Sequence, residues 1–312
     1  VRQAASWKGR AMYDGPIIDT HHHIWVVKDY PWLTAPPSPK IFGPEYELLR
    51  RDYLIDDLLA DFGDHNVVKS VHEQAHYNPP DHVGETRWLQ GVADEHGFPH
   101  GIVGHANIAG DDLGTVLDGH LEYSNFRGIR QVVAWHPDRS VWQVVDRPDF
   151  CMSPEFRRGL EVLEARDVHF ELQGFANQFG IFAELVAGHP GLRFCLVHGG
   201  LLTADDDETF DIWRRALEPL AKFDNLSVKC SGPNVINWET PRPLAAVSRQ
   251  YNALIDMFGA ERCFFGSNFP VEKLMITYDE VVALCRGALA DRTAAEQRAF
   301  FHDTAEAFYR LG

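Results

Sequence analysis

The sequence predicts a single-domain α/β fold, a (β/α)8 TIM barrel, on three observations. Short β-rich runs recur eight times along the chain. Stretches carrying helix-capping signals separate them. The 312 residues suit an architecture that needs roughly 250. The strand candidates are PIIDTHHHIW (16–25), VVKSVHEQA (67–75), GIVGHANI (101–108), GIRQVVAW (128–135), VHFELQGF (168–175), LRFCLVHGG (192–200), LSVKCSG (226–232) and RCFFGSNF (262–269). Near-continuous apolar runs suit parallel strands covered on both faces. Of the intervening helices, one opens at Ser153-Pro154-Glu155, with Ser as N-cap and Pro at the first helical position. Residues 208–223 carry Phe210, Trp213, Leu217 and Leu220 on one stripe, with Pro219 placed to kink the end. Residues 244–258 stop before Gly259, a C′ residue. Thr293 and Glu296 form a capping box for the C-terminal helix. Residues 1–13 are read as an N-terminal tail and 14–312 as the barrel. The proline-rich stretch 30–53 follows the first strand and is expected to form a lid over the barrel mouth.

Composition narrows the function. The chain is 45% hydrophobic and 24% charged, with 45 acidic and 29 basic residues and a formal net charge of -16. It lacks the basic footprint of a nucleic-acid binder. No run approaches the ~18 apolar residues of a membrane span. The N-terminal VRQAASWKGRAMY has no hydrophobic core of a signal peptide. The five cysteines are odd in number, and none has C-x-x-C spacing. They read as buried free thiols of a reducing compartment, hence the cytoplasm. The expected partner is a small-molecule substrate, without nucleic acid or membrane, and a homo-oligomer is compatible with all of this.

Barrel active sites lie at the C-terminal strand ends. The first strand ends in Asp19-Thr20-His21-His22-His23. Alternate strand residues share a face, so His21 and His23 point together and His22 away. The sixth ends in His198 and the eighth in Gly266-Ser267-Asn268-Phe269-Pro270. Each histidine alone reads as structural; the set reads as a grip on a metal or on a substrate oxygen. Glu73 on the second strand is a carboxylate that would be costly inside a barrel unless paired. Arg130 and Lys229 could hold a carboxylate or a developing oxyanion, and the competing reading is an ion pair within the barrel. Gln173 is a further polar candidate. Trp25, Trp32 and Trp135 are expected around the pocket mouth. The segment His72-Glu73-Gln74-Ala75-His76 matches the H-E-x-x-H pattern of zinc peptidases. That chemistry needs a helix. In a strand, residues four apart lie ~13 Å apart, too far to share one zinc.

The segments IIDTHHHIW, ETRWLQ (85–90), GIRQ (128–131), HFELQ (169–173), LVHGG (196–200), WRRALEPLAKFDNLSVKCSG (213–232) and RCFFGSNFPVEKL (262–274) follow in an order that resembles the lactonase-type branch of the amidohydrolase-2 family. The resemblance implies a TIM barrel that hydrolyses lactones of sugar acids or of aromatic breakdown. Some members use a divalent metal, usually zinc; the 2-pyrone-4,6-dicarboxylate lactonases use none. His21 and His23 match the family's H-x-H pair and His198 its strand-six histidine, and these three are the candidate metal ligands. Asn268 stands where many members carry an aspartate that acts as ligand or base, and an amide cannot accept a proton at neutral pH. The expected catalytic set is therefore His21, His23, His198, Asn268 and Glu73. Glu73 and His198 rank equally as the base, and Arg130, Lys229, Gln173, Trp25 and Trp135 are the substrate contacts. Alternatives are a metal-dependent decarboxylase of the same superfamily and a non-catalytic barrel that binds a carboxylate.

Overall fold

The protein is described by a computed structural model over residues 12–36, 44–77, 80–235 and 238–312. Most of the N-terminal tail and the middle of the expected lid fall outside these residues. Eight strands follow in chain order: β1 Ile17–His22, β2 Val67–Glu73, β3 Gly101–Gly104, β4 Phe126–Arg130, β5 His169–Leu172, β6 Phe194–Leu196, β7 Leu226–Ser231 and β8 Cys263–Gly266. Each pairs in parallel with the next. The ring closes where Asn268 N donates to His21 O at 2.6 Å and His23 N donates to Phe269 O at 2.7 Å. This is the predicted (β/α)8 barrel.

Every predicted run meets a strand shorter than itself, and β4 begins two residues ahead of its run, at Phe126. The C-terminal residues of each run leave the sheet and build the mouth. β6 ends at Leu196 because the chain turns over Val197–Gly200, with His198 at φ 56° and Gly199 at φ 58°. The helical signals act as expected at Ser153, whose hydroxyl accepts from Phe156 N at 3.3 Å, and at Thr293–Glu296, where both halves of the capping box form. Helix Leu244–Phe258 ends at Gly259, φ 86°. The 208–223 stretch divides into helix Asp207–Leu217 and a single turn Leu220–Lys222. Pro219, lacking an N–H, ends the ladder between them.

The barrel interior is layered. Ile18, Val71, Val103, Cys195 and Phe264 form its lower layer, closed from below by Ala305, Phe308, Tyr309 and Leu311 of the C-terminal segment. Burying each large apolar side chain contributes about 1.5–3 kcal/mol. The layers above it are polar and carry the chemistry. All five cysteines are buried and unpaired. Among the described residues, no helix is long and apolar enough to cross a membrane.

Candidate active site

The first strand does not alternate strictly. Ile18 faces the lower layer, yet His21 and His23 face the mouth, an odd step along the strand. A register shift between Asp19 and His22 absorbs the extra residue, as a β-bulge does. Buried Asp19 pins it, accepting from Ser267 N at 2.8 Å, His21 N at 3.2 Å and the Tyr278 hydroxyl at 3.2 Å. Burial raises Asp19 to about 6, and these hydrogen bonds keep it from going higher. His22 turns outward, with Nε2 2.9 Å from Ser70 Oγ and its ring against Phe62. Gly266 makes room for the bulge: a β-carbon there would lie 2.7 Å from His21 Cβ.

Three imidazoles converge at the mouth. The ring centroids of His21 and His198 are 4.6 Å apart, and those of His21 and His23 5.1 Å. Ser231, at the end of β7, joins two of them, with Oγ 2.9 Å from His198 Nδ1 and 3.3 Å from His21 Nδ1. His198 Nδ1 also lies 3.2 Å from the Ser231 carbonyl, and His23 Nδ1 lies 2.7 Å from the Glu73 carbonyl. A carbonyl only accepts, so Nδ1 carries the proton in both rings and Nε2 is left as an acceptor. His21 Nε2 is buried without a hydrogen-bond partner among the described residues. Burial drives all three pKa values down, helped at His21 by His198 and at the other two by Arg130; His198 falls to about 3. They are neutral at pH 7. Asn268 sits beside them at φ 62°, its amide against Glu272. Burial pushes Glu272 up to about 7, and its carboxylate also takes Asn234 Nδ2 at 2.8 Å.

Beneath the mouth runs a buried chain of alternating charge. Arg130 Nε lies 3.1 Å from Glu73 Oε1, Glu73 Oε2 2.6 Å from Lys229 Nζ, and Lys229 Nζ 2.7 Å from Glu171 Oε2. The Tyr309 hydroxyl donates to Glu171 at 2.8 Å. Two cations thus face two carboxylates. Burial opposes the charge of Lys229, but Glu171 and Glu73 more than offset this and raise its pKa. Burial and the Glu171 carboxylate push Glu73 up to about 7 against the pull of Lys229 and Arg130. Arg130 also donates to Gln74 O at 2.5 Å and to Gln173 Oε1 at 3.3 Å.

These groups face a cavity of about 650 Å³, the size of a small-molecule site. His21, His23, His198, Asn268, Arg130, Gln173, Trp25 and Trp32 line it together. Glu73 and Lys229 do not. They are fully buried and spent on one another and on Arg130 and Glu171, which corrects the expectation that they meet substrate. Trp135 is also off the wall; its N–H donates to Gln178 Oε1 at 2.9 Å and its carbonyl accepts from Asn177 Nδ2. His72 lies in β2 and His76 follows it at φ 59°, so the H-E-x-x-H segment is not helical. His76, Trp142 and Trp238 on the cavity wall, and Ser231 and Glu171 behind it, were not singled out from sequence. Alternation could have found two of them, since Ser231 shares a strand face with Lys229 and Glu171 with Gln173.

Nitrogen donors for a metal are present, without an anionic side chain among them. Position 268 is an amide, and the Glu73 carboxylate is held by two cations. Among the described residues, no group of three or more His, Cys, Asp or Glu side chains is arranged to hold a metal ion. His21, His23 and His198 are the residues that would hold a divalent metal, three neutral imidazoles being a known open set for zinc.

Residues 18–311 match the amidohydrolase family Amidohydro_2. The chain belongs to the amidohydrolase family. An uncharacterized protein, y4mH, of Sinorhizobium fredii is 39% identical to this amidohydrolase over 306 residues, covering 96% of this chain and 100% of that one. An L-fucono-1,5-lactonase of Burkholderia multivorans is 29% identical over 305 residues, covering 94% and 96%. The crystal structure of an amidohydrolase from Burkholderia multivorans has a TM-score of 0.80 at 27% identity, covering 96% of this chain and 100% of that one; it has been solved with bound Zn and with bound HEPES.

Proposed function

We propose that this amidohydrolase opens a small lactone ring by attack of water at the barrel mouth. The observation that carries this is the convergence of three neutral imidazoles and the Arg130 guanidinium on one cavity. The similarity to an L-fucono-1,5-lactonase over nearly the whole chain supports the ester bond as the target. His198 is the base. Its Nδ1–H is committed to Ser231 O, so Nε2 accepts a proton as water adds to the acyl carbon. Glu73, ranked with it from sequence, has its carboxylate engaged by cations outside the cavity wall. Arg130 has five N–H groups; Nε lies beside Glu73 in an ion pair, and Nη1 and Nη2 each give one N–H, to Gln173 and Gln74 O, which leaves one N–H on each Nη for the carbonyl oxygen as it becomes an oxyanion. When the tetrahedral adduct collapses, the acyl C–O bond of the ring breaks. The departing alkoxide takes the proton back from His198, and the product is a hydroxy acid. His21 and His23 position the water and the ring.

A panel of five- and six-membered lactones in weak buffer, with and without zinc or manganese, tests this by acid release. At least one lactone is expected to be hydrolysed. No release above buffer across the panel would contradict the proposal.

A further inference from the structure

We infer that the acyl group this site takes carries an apolar arm, aromatic or branched aliphatic, in place of a ring of hydroxyls. The inference names the substrate class of the lactonase reading above and rests on it. The reactive groups occupy one end of the cavity. The rest of the wall is mostly apolar and comes from segments after several strands, among them Trp32, Val141, Trp142, Leu201, Val235 and Trp238.

Two further features give this wall its meaning. The indole N–H of Trp32 donates to Ala75 O at 2.7 Å, and that of Trp25 to Arg51 O at 2.9 Å. Each ring has thereby spent its one donor on backbone and offers the cavity only carbon and π-surface. The two rings meet edge to face, with centroids 5.7 Å apart, an arrangement that stiffens both. The polar side chains are also few. No Asp or Glu lines the cavity, and Arg130 is its one fixed charge among the described residues. The other polar side chains on the wall are Ser140, Thr203 and His76. The Ser140 hydroxyl already donates to Asp138 at 2.7 Å. The His76 side chain is exposed and stands at the solvent rim of the cavity. A polyhydroxylated lactone would bury several hydroxyls here without partners, each unfavourable. An aryl or alkyl arm would lose nothing and would displace water from apolar surface. The cavity is also larger than a bare lactone ring requires, which leaves room for the arm.

The test compares γ-butyrolactones bearing a phenyl or isopentyl substituent on the ring with the unsubstituted lactone and with a polyhydroxylated sugar-acid lactone. The expected kcat/KM is at least about tenfold higher for the arm-bearing lactones, since each buried methylene contributes about fourfold. Trp142→Ala and Trp238→Ala should each shrink that ratio severalfold. A preference for the polyhydroxylated lactone overturns the inference and leaves the lactonase reading standing. If no lactone is hydrolysed, the lactonase reading fails, and a binding pair decides the arm. 4-Phenylbutyrate and gluconate are titrated against the full chain, read by tryptophan fluorescence. Phenylbutyrate binding at least tenfold tighter supports the apolar subsite. Equal affinity, tighter gluconate, or no binding of either overturns it.

Discussion

His198 occupies the left-handed region, φ 56° and ψ 31°, where a side chain other than Gly, Asn or Asp is strained by about 1–2 kcal/mol. The fold holds it there with two contacts to Ser231, and the turn aims Nε2 into the cavity. Asn tolerates the same backbone but lacks the basic nitrogen. His198→Asn should therefore melt near the native temperature while kcat/KM falls about 10²–10⁴-fold, the usual worth of a general base. Native rates in that variant would remove His198 from the mechanism. Asn268 poses the converse case, since φ 62° also admits Asp. Its neutral amide lies against buried Glu272, where a second carboxylate would be repelled. Asn268→Asp should lower the melting temperature and also tighten zinc binding, because it supplies the missing anion beside three imidazoles. Elemental analysis of both forms after identical dialysis reads the change; equal zinc content would show that the charge at 268 is not what is lacking.

The elements meet through the charge chain, which links β4, β2, β7 and β5 across the barrel by Arg130, Glu73, Lys229 and Glu171. Such a chain is weak evidence of net stabilisation, yet cutting it is costly because it strands buried charge. Lys229→Met should cost about 3–5 kcal/mol in urea unfolding, and the loss should be smaller when Glu73→Gln is added. A loss under about 1 kcal/mol would mean that water already screens the chain. The strands themselves were legible because apolar runs separated by capping signals leave few alternatives, and β6 stayed readable even at three residues. The histidine pair was legible from alternation, although the alternation that holds is local: the bulge at Asp19 breaks it further back, and no residue type marks a bulge in advance. Lys229 was read as a substrate contact and Glu73 as a candidate base because strand parity shows which side chains point inward but not how high they stand. Depth decided their role, since an inward residue one step lower meets other strands instead of the cavity. Trp142 and Trp238 escaped because they sit on loops, where no periodicity reports direction.

At the scale of the whole molecule, the polar barrel interior makes stability depend on pH in a definite direction. Ten histidines have lowered pKa values, with burial the largest cause in each. A histidine held neutral when folded but free to ionise when unfolded, near 6.5, contributes stability above that pH. The contribution is lost as pH falls toward the folded value, which is about 3 at His72 and His198. Four buried carboxylates act in the opposite sense. Glu73, Glu85 and Glu272 are raised by burial to about 7 and Asp19 to about 6, so each favours folding more as pH falls from there toward the unfolded value near 4. Between pH 6.5 and 5 the two sets compete proton for proton, and the histidines outnumber the carboxylates. Unfolding in that window must then take up protons on balance, and the stability of the folded state must fall on acidification. The measurement is the urea midpoint at half-unit steps from pH 7.5 to 5, with calorimetric unfolding in two buffers of different ionisation enthalpy to count the protons. Expected is a midpoint that declines below pH 6.5 together with net proton uptake. A midpoint that rises on acidification would show that the carboxylates govern the interior and that the histidines are more solvated than their burial implies.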